Sequence, residues 1–257
     1  MSTEWLKNYT IPVPPREEQE RIVEEVEWVR GVIEKKREQL KELDALAQSI
    51  FYEMFGNPVE NEKGWTVKKL GEIANFKNGL NFKKTETVRE YLFLGVSDFK
   101  DKSVISNVDE YSSILIDEDF SEEFLLKDGD IVFVRSNGSK ELVGRNVLIY
   151  TINEKIVYSG FCIRCRFISV DIMPLYANNL LSTPNIKQLI KALGRGANIS
   201  NLNQGMLEHI PIVLPPLALQ QEFANNIEQI EKQKQLIKES ILQIEELFNS
   251  RMDYYFS

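Results

Sequence analysis

One pattern decides the fold: IPVPPREEQERIVEEVEWVRGVIEKKREQLKELDALAQSIFYEMF in residues 11–55, which returns as IVLPPLALQQEFANNIEQIEKQKQLIKESILQIEELFNSRMDYYF in residues 212–256. The two stretches align without a gap, so that Pro14-Pro15 matches Pro215-Pro216 and Gln19 matches Gln220. Few residues are identical, but the spacing of the apolar side chains repeats. The same structural unit is therefore predicted on both sides of a different middle segment.

Each copy of the repeat places apolar residues at alternating steps of four and three, which is the seam of a coiled-coil helix. The seam positions are Ile22, Val26, Val29, Ile33, Lys36, Leu40, Leu43, Ala47, Ile50 and Met54 in the first copy, and Phe223, Ile227, Ile230, Lys234, Ile237, Ile241, Ile244, Phe248, Arg251 and Tyr255 in the second. About 41 residues at a rise of about 1.5 Å predict a helix on the order of 60 Å long. The two helices are predicted to pack antiparallel, within one chain or between two chains. A generic dimerisation coiled coil is the alternative for one such helix alone.

Each seam contains a lysine where the other copy has isoleucine, Lys36 in the first copy and Lys234 in the second. Single polar seam residues fix the register of coiled coils at some cost in stability. We therefore interpret these two lysines as register-setting residues. Unchanged register and oligomeric state after both are replaced by Ile would contradict this hypothesis.

The composition excludes several classes of enzyme and of extracellular protein. The 257 residues include 31 Lys+Arg, 39 Asp+Glu, one His and two Cys, with a net charge of −8. A His–Asp–Ser arrangement, a zinc site or a disulfide framework would depend on His209, Cys162 and Cys165 alone. No apolar run approaches the roughly 20 residues of a membrane-spanning helix, and the first ten residues lack a secretion signal. A cytoplasmic protein with no membrane partner is expected.

The middle segment changes from helical periodicity to a period of two and is predicted to be mixed α and β. Residues 127–170 contain DIVFVR, GRNVLIYTI and the long alternating run IVYSGFCIRCRFISV, separated by Asp-Gly and Asn-Gly turns, and predict an antiparallel sheet. LGEIANFKNG and YLFLGVSDF predict further strands, while PLYANNLLS and NIKQLIKALG predict short helices. The predicted fold class is α+β, with this segment flanked by the two long helices.

Known catalytic signatures are missing from the sequence, including phosphate-binding glycine loops and metal-binding His-Glu-x-x-His. Asp128, Asp130 and Glu141 resemble a set of metal ligands, but we interpret the aspartates as solvated carboxylates of a hairpin turn. Cys162 and Cys165 lie three apart in a predicted strand, on opposite faces, and are interpreted as ordinary buried or half-buried thiols. We expect no catalytic residue, no metal and no cofactor.

Cationic and amide side chains cluster at three predicted turns of the middle segment. Arg and Lys bind phosphates or guanine edges, Asn pairs with adenine, and nearby glycines let the backbone approach a duplex closely. Each group taken singly is also typical of a polar loop, and Arg164 and Arg166 also fit the solvated face of a half-buried sheet. The predicted contacts with double-stranded DNA are Lys77, Asn78, Lys83, Lys84, Arg135, Ser136, Asn137, Ser139, Lys140, Arg145, Arg164, Arg166, Arg195, Asn198 and Asn201.

Three segments together resemble the specificity subunits of type I restriction–modification systems. They are GWTVKKLGEIANFKNG, KDGDIVFVRSNGSKELVGRNVLIY and RGANISNLNQGMLEHIPIVLPPLALQQ, and the last is the most specific. The resemblance covers nearly the whole chain. It implies a non-catalytic subunit whose target recognition domain contacts the bases of a half-site, while its long helices form an antiparallel coiled coil that docks the methyltransferase (modification) and restriction subunits.

The order of segments departs from the pattern of a complete subunit, which has two recognition domains. Here residues 1–14 resemble the tail of a recognition domain, 15–56 the first long helix, 59–210 a recognition domain and 215–256 the second long helix. This order resembles a half-subunit that pairs with a second copy as a homodimer or with another half-subunit; a truncated gene product is the alternative. A coiled-coil scaffold whose middle domain binds protein is the rival function.

Overall fold

The computed structural model describes residues 13–81, 89–99, 102–107, 109, 111–116, 121–136, 140–150, 154–193 and 201–256. The chain divides into two compact units. The helical unit comprises residues 1–47 and 226–257, and the mixed unit comprises residues 48–225.

Helices and strands follow the predicted α+β class, which is confirmed. Within the described residues the helices are α1 Arg16–Phe55, α2 Leu70–Ile73, α3 Pro174–Ser182, α4 Pro184–Leu193, α5 Gln204–Glu208 and α6 Leu217–Phe256. The strands are β1 Thr66–Lys69, β2 Ala74–Asn78, β3 Arg89–Leu94, β4 Val104–Ile105, β5 Ser112–Ile116, β6 Ile131–Val134, β7 Asn146–Ile149, β8 Ile156–Tyr158, β9 Cys162–Phe167 and β10 Pro211–Leu214.

The helical unit is an antiparallel pair formed by α1 and α6. Three ion pairs join the two helices: Asp44 with Lys234, Arg37 with Glu245, and Glu25 with Arg251. Residue numbers rise along α1 as they fall along α6, so the helices run in opposite directions, as predicted. Ile227, Ile230 and Ile241 of the α6 seam are buried.

No helix in the described part of the chain is long and apolar enough to cross a membrane.

The lysine in the α6 seam is buried and meets acidic partners on both helices. Lys234 Nζ lies 2.7 Å from Asp44 of α1 and 2.8 Å from Glu231 of its own helix. Burial disfavours the charge, but the hydrogen bonds to these two carboxylates outweigh burial and raise the pKa of Lys234. Asp44 compensates the charge of the buried lysine. This ion pair fixes one position of α6 opposite one position of α1.

The strands of the mixed unit form three sheets. The largest has five strands in the order β2-β9-β6-β7-β4, and the second has three in the order β5-β3-β8. The antiparallel pairing predicted for residues 127–170 is confirmed for β6 with β7 and for β6 with β9. Two pairs, β3 with β8 and β4 with β7, are parallel, so the two larger sheets are mixed.

The single long strand predicted for IVYSGFCIRCRFISV is wrong. A turn at residues 159–161 divides it into β8 and β9, which belong to different sheets. The Cys162 N–H donates to the Ser159 carbonyl at 2.8 Å, which closes this turn. Gly160 fits there because a Cβ on it would lie 2.3 Å from Asn81 Oδ1. The apolar residues alternate on both sides of Gly160, so the sequence did not show that the chain passes from one sheet to another at this glycine.

The third sheet joins the beginning of the middle segment to its end. β1 pairs antiparallel with β10, from Thr66 opposite Leu214 to Lys69 opposite Pro211. Just beyond this pair, the Leu70 N–H donates to the Ile210 carbonyl at 2.8 Å. The two ends of the middle segment therefore lie side by side.

Aromatic rings from the ends of both long helices pack inside the mixed unit. Phe51 and Phe55 of α1, Tyr176 of α3 and Phe223 of α6 are almost completely buried, with ring centroids 4.8 to 6.4 Å apart. Aromatic rings at such separations attract one another beyond simple burial. The last turns of α1 and the first turns of α6 are therefore part of the core of this unit.

The glutamine shared by the two repeats has the same local bond in both and different surroundings. Gln220 Nε2 donates to the Pro215 carbonyl at 2.8 Å, and Gln19 Nε2 donates to the Pro14 carbonyl at 2.7 Å. Gln220 is fully buried, and its amide also accepts from the Met173 N–H and donates to the Asp171 carbonyl. Gln19 is exposed. The glutamine thus ties the start of α6 to the segment before α3.

Candidate nucleic-acid interface

Backbone hydrogen bonds bring described residues from each of the three predicted polar groups to one end of the five-stranded sheet. β2 ends beside the start of β9, where the Gly79 N–H donates to the Cys162 carbonyl at 3.1 Å. β6 ends beside the same turn, since the Arg135 N–H donates to the Phe161 carbonyl at 2.8 Å. The Leu202 N–H donates to the Arg135 carbonyl, also at 2.8 Å, which adds the third group.

We call this region the sheet end and define it as residues 78–80, 134–136, 144–145, 159–161 and 201–202. β7 begins here as well, because the Val134 N–H donates to the Arg145 carbonyl at 2.8 Å. Four segments therefore bring candidate residues to one place: Asn78, Arg135 with Ser136, Arg145, and Asn201. Arg145 and Ser136 are half-buried, and Asn201 is exposed.

Two glycines allow the segments of the sheet end to approach one another closely. A Cβ on Gly79 would lie 2.2 Å from the Ser159 carbonyl oxygen and 2.4 Å from that of Tyr158, far inside van der Waals contact. Gly144 has a φ of +82°, in the left-handed region that favours glycine, and it precedes β7. Glycine is therefore needed at Gly79 for the close approach of the two backbones and at Gly144 for the left-handed backbone conformation.

Lys77 lies one residue before the sheet end and already has partners within the domain. Its ammonium is 2.6 Å from Glu123 and 4.1 Å from the centroid of the Phe124 ring. Asn78, next along β2, has a buried Oδ1 without a hydrogen-bond partner. Lys77 thus combines an ion pair with a cation–π contact. Because Glu123 is its ion-pair partner, the positive charge of Lys77 at the sheet end is largely balanced.

Arg166 is half-buried and is bound to a buried carboxylate. Its Nε and Nη2 each donate to one oxygen of Asp130 at 2.7 Å, and Nη2 also donates to the Leu125 carbonyl at 2.9 Å. Asp130 is 1% exposed and also accepts from the Lys127 N–H at 2.7 Å. The hydrogen bonds to Asp130 raise the pKa of Arg166 above its ordinary value. The interpretation of Asp130 as a solvated turn carboxylate is wrong, because Asp130 is buried and bound by Arg166. The sequence could not show this, since a residue's position in a turn does not reveal which basic side chain faces it.

Arg164 is also directed inward. The residue is buried, and its Nη1 donates to the Glu123 carbonyl at 2.8 Å. The interpretation of Arg164 as part of a solvated sheet face is therefore wrong. Arg164 and Arg166 stay predicted DNA contacts without a test, but their internal hydrogen bonds lead us to leave them out of the proposed surface.

The two cysteines are buried free thiols, as predicted. Burial raises the pKa of Cys162 to about 12 and raises that of Cys165 still further. Both are thiols at neutral pH and therefore poor nucleophiles and poor metal ligands. No three His, Cys, Asp or Glu side chains come together as a metal site in the described ranges.

Several predicted contacts lie outside the described residues: Lys83, Lys84, Asn137, Ser139, Arg195 and Asn198. Lys140 is described only as the first residue of a 3-10 turn, Lys140–Leu142.

Comparison with known proteins assigns the chain to a family. Residues 62–246 match the family described as "Type I restriction modification DNA specificity domain". The match covers more than half of the chain. The protein belongs to this family.

Members of the specificity-domain family are similar over most of this chain. The type I restriction enzyme StySPI specificity subunit of Salmonella potsdam is 26% identical over 237 residues, which are 86% of this chain and 50% of that protein. The chain thus spans about half the length of this curated relative. The HsdS subunit from Thermoanaerobacter tengcongensis has a TM-score of 0.51 at 22% identity and covers 96% of this chain and 60% of its own. The S subunit from M. genitalium has a TM-score of 0.55 at 15% identity, with 94% and 61% covered. These two structures support the fold.

This specificity-domain chain has a half-buried lysine that the sequence analysis missed. Lys187 Nζ donates to the Gly144 carbonyl and to Asn146 Oδ1, both at 2.5 Å. Burial, with the nearby charges of Arg145 and Lys191, lowers the pKa of Lys187 to about 7. The lysine holds the start of β7 in place beside the sheet end. The sequence carried no clear signal for this role, because Lys187 lies beside the apolar face formed by Ile186 and Ile190 and not on it.

Phe161 is the second residue that the sequence analysis missed. It lies in the turn between β8 and β9, and its side chain is 57% exposed. The prediction of one continuous strand concealed it, since a phenylalanine within a strand is ordinarily a core residue.

Proposed function

We propose that the chain is a DNA-recognition subunit whose mixed unit binds a short sequence of double-stranded DNA through the sheet end. The observation that carries the proposal is the convergence of Arg135, Arg145 and Asn201 at the sheet end of a domain of the specificity family. Cationic side chains suit phosphate, and amides suit base edges. The proposed domain spans residues 59–210, with long-helix regions at 15–56 and 215–256.

The test is selection from randomised duplexes with the full chain, alone and together with a modification subunit, followed by a mobility shift on the enriched duplex. Enrichment of one sequence supports the proposal. If neither sample enriches any sequence, the proposal fails. The rival, a scaffold whose middle domain binds protein, predicts no dependence of DNA retention on salt, whereas each phosphate contact adds about 0.9 to the logarithmic salt slope.

Two substitutions at matched positions locate the surface. Arg135 follows β6 at the sheet end, while Lys127 is exposed and precedes β6 at its opposite end. Arg135→Ala is expected to weaken DNA binding and to lower the salt slope by about 0.9 if one phosphate contact is lost. Lys127→Ala should leave both quantities unchanged. Equal effects of the two substitutions would mean that the sheet end is not the binding surface.

We further propose that the helical unit docks the modification and restriction subunits, and that the chain itself is non-catalytic. Supporting this is a groove between the helices lined by apolar residues that include Leu43, Leu46, Leu236 and Ile237. Exposed apolar patches mark interaction surfaces. Leu236→Lys should reduce co-purification with a modification subunit, whereas Gln229→Lys, which makes the same charge change at another exposed position of α6, should not. Turnover by the isolated chain on DNA would contradict the non-catalytic assignment.

Pairing with a second copy or with another half-subunit is part of the same proposal. Its support is the set of large apolar side chains exposed on the helical unit, among them Trp28, Leu242 and Leu247. Light scattering across a concentration series should give twice the mass of one chain for a homodimer. A constant monomer mass, with and without the modification subunit, would exclude pairing.

A further inference from the structure

Phe161 lies at the tip of a turn within the sheet end and is directed away from the core. At 57% exposure it differs from the buried Val134 and Leu202 beside it. Among the described residues of the sheet end, it is the one large apolar side chain that is exposed. Its neighbours there are cationic and amide side chains, which makes its chemistry distinct.

The backbone around Phe161 is held on both sides. The Gly160 N–H donates to the Leu80 carbonyl at 2.8 Å, and the Phe161 N–H donates to Ser159 Oγ at 3.2 Å. The Phe161 carbonyl accepts from the Arg135 N–H. These bonds fix the backbone of the turn, so the ring projects from a preorganised position and binding does not have to order the backbone there.

Phe161 shares its hydrogen bonds with the residues that we propose to face DNA. Its carbonyl is joined directly to Arg135, which in turn is joined to Leu202, the neighbour of Asn201. These bonds place the ring at the same end of the sheet as the arginine and the amide. The major groove offers one apolar group on the base edges, the C5-methyl of thymine, and phenylalanine is one of the side chains that contacts it.

On the basis of the DNA-binding function proposed above, we propose that Phe161 is a specificity-determining residue whose ring contacts the C5-methyl of a thymine in the recognised sequence. The arginine and amide side chains supply phosphate and polar base contacts, and Phe161 supplies the apolar discrimination that they cannot. Thymine at one position is then preferred over cytosine, which lacks the methyl group.

The test compares sequence selection by the full chain, with a modification subunit present, for wild type and Phe161→Ala. Ile168→Ala is the matched control, because Ile168 follows the opposite end of β9 and is 60% exposed. Phe161→Ala should lose the preference for thymine at one position and keep the rest of the motif. Ile168→Ala should select the wild-type motif. Circular dichroism and thermal melting verify that both variants fold.

A second measurement removes the methyl group from the DNA. Replacing the assigned thymine by uracil should weaken wild-type binding about fourfold, the value of one buried methyl group. The same replacement should leave binding by Phe161→Ala unchanged. Equal effects of uracil on both proteins, or an unchanged motif for Phe161→Ala, would overturn this inference while leaving the proposed function intact. If the wild type selects no sequence, both fail.

Discussion

The pairing of Asp130 with Arg166 makes a sharp prediction about stability. Asp130→Asn keeps the shape of the side chain but removes the charge that two guanidinium nitrogens contact at 2.7 Å. Breaking a buried ion pair by changing one partner costs about 3 to 5 kcal/mol. The Arg166 side chain remains 25% exposed, and its bond to the Leu125 carbonyl survives. We therefore expect the lower end, about 3 kcal/mol.

The assay is thermal and urea unfolding of the full chain followed by circular dichroism. A loss of about 3 kcal/mol should lower Tm by about 6 to 12 °C for a unit of this size. The control is Asp171→Asn, since Asp171 is exposed and pairs with Lys68 at 3.2 Å. Exposed ion pairs contribute about 0 to 1 kcal/mol. A loss below about 1 kcal/mol for Asp130→Asn, or one equal to that of the control, would refute the reasoning.

Three further predictions concern the repeats. Gln220→Ala should destabilise the chain by about 2 to 3 kcal/mol because buried backbone groups lose their partners, whereas Gln19→Ala should cost less than about 1 kcal/mol; unfolding in urea measures both. Gly31→Ala should stabilise α1 by about 0.5 to 1 kcal/mol, because a Cβ there meets nothing within 4 Å; a lower Tm would contradict this. Hydrogen bonds from Arg251 and Tyr255 lower the pKa of Glu25 from 4.5 to about 2, so its stabilising contribution is complete above pH 4.5 and is lost as pH falls toward 2. Carboxylate NMR should show this pKa, and Arg251→Gln should return it toward 4.5.

The long helices were predictable because their signal extends over some 40 residues. The seam of α1 and α6, and the proline pairs before them, are local features that one sequence displays directly. The antiparallel direction followed from having two such helices in one chain. By contrast, the acidic partner of Lys234 was not predicted, since Asp44 is far away in sequence and only the alignment of the two helices brings it near.

The sheets were only partly predictable because strand pairing is a long-range property. Two parallel pairs, β3 with β8 and β4 with β7, join segments that are distant in sequence. No local sequence pattern predicts such pairs. The turn at residues 159–161 was missed for a related reason. Alternation continues across Gly160, and the change of sheet depends on partners that arrive from β3 and β6.

At the candidate site, too, the sequence indicated the types of residue but not the partners that they contact. The sequence indicated which side chains suit DNA, and the structure brings Arg135, Arg145 and Asn201 to one edge. It could not indicate that Arg166 is held by Asp130, because a basic residue on an alternating strand looks the same whether it faces water or a buried carboxylate. Phe161 was missed because its exposure depends on the turn.

The pairing of β1 with β10 has a consequence for how such a protein can evolve. Thr66 and Leu214 are opposite one another, so the middle segment leaves the chain and rejoins it at points only about 5 Å apart. Domains whose ends meet are the ones that chains accept as insertions. A segment that replaced residues 66–214 could keep this short connection, but it would also have to supply the packing that Tyr176 makes with the helix ends and the backbone groups that Gln220 binds. Exchange of genetic material at these two points would thus replace the whole sheet end in a single event.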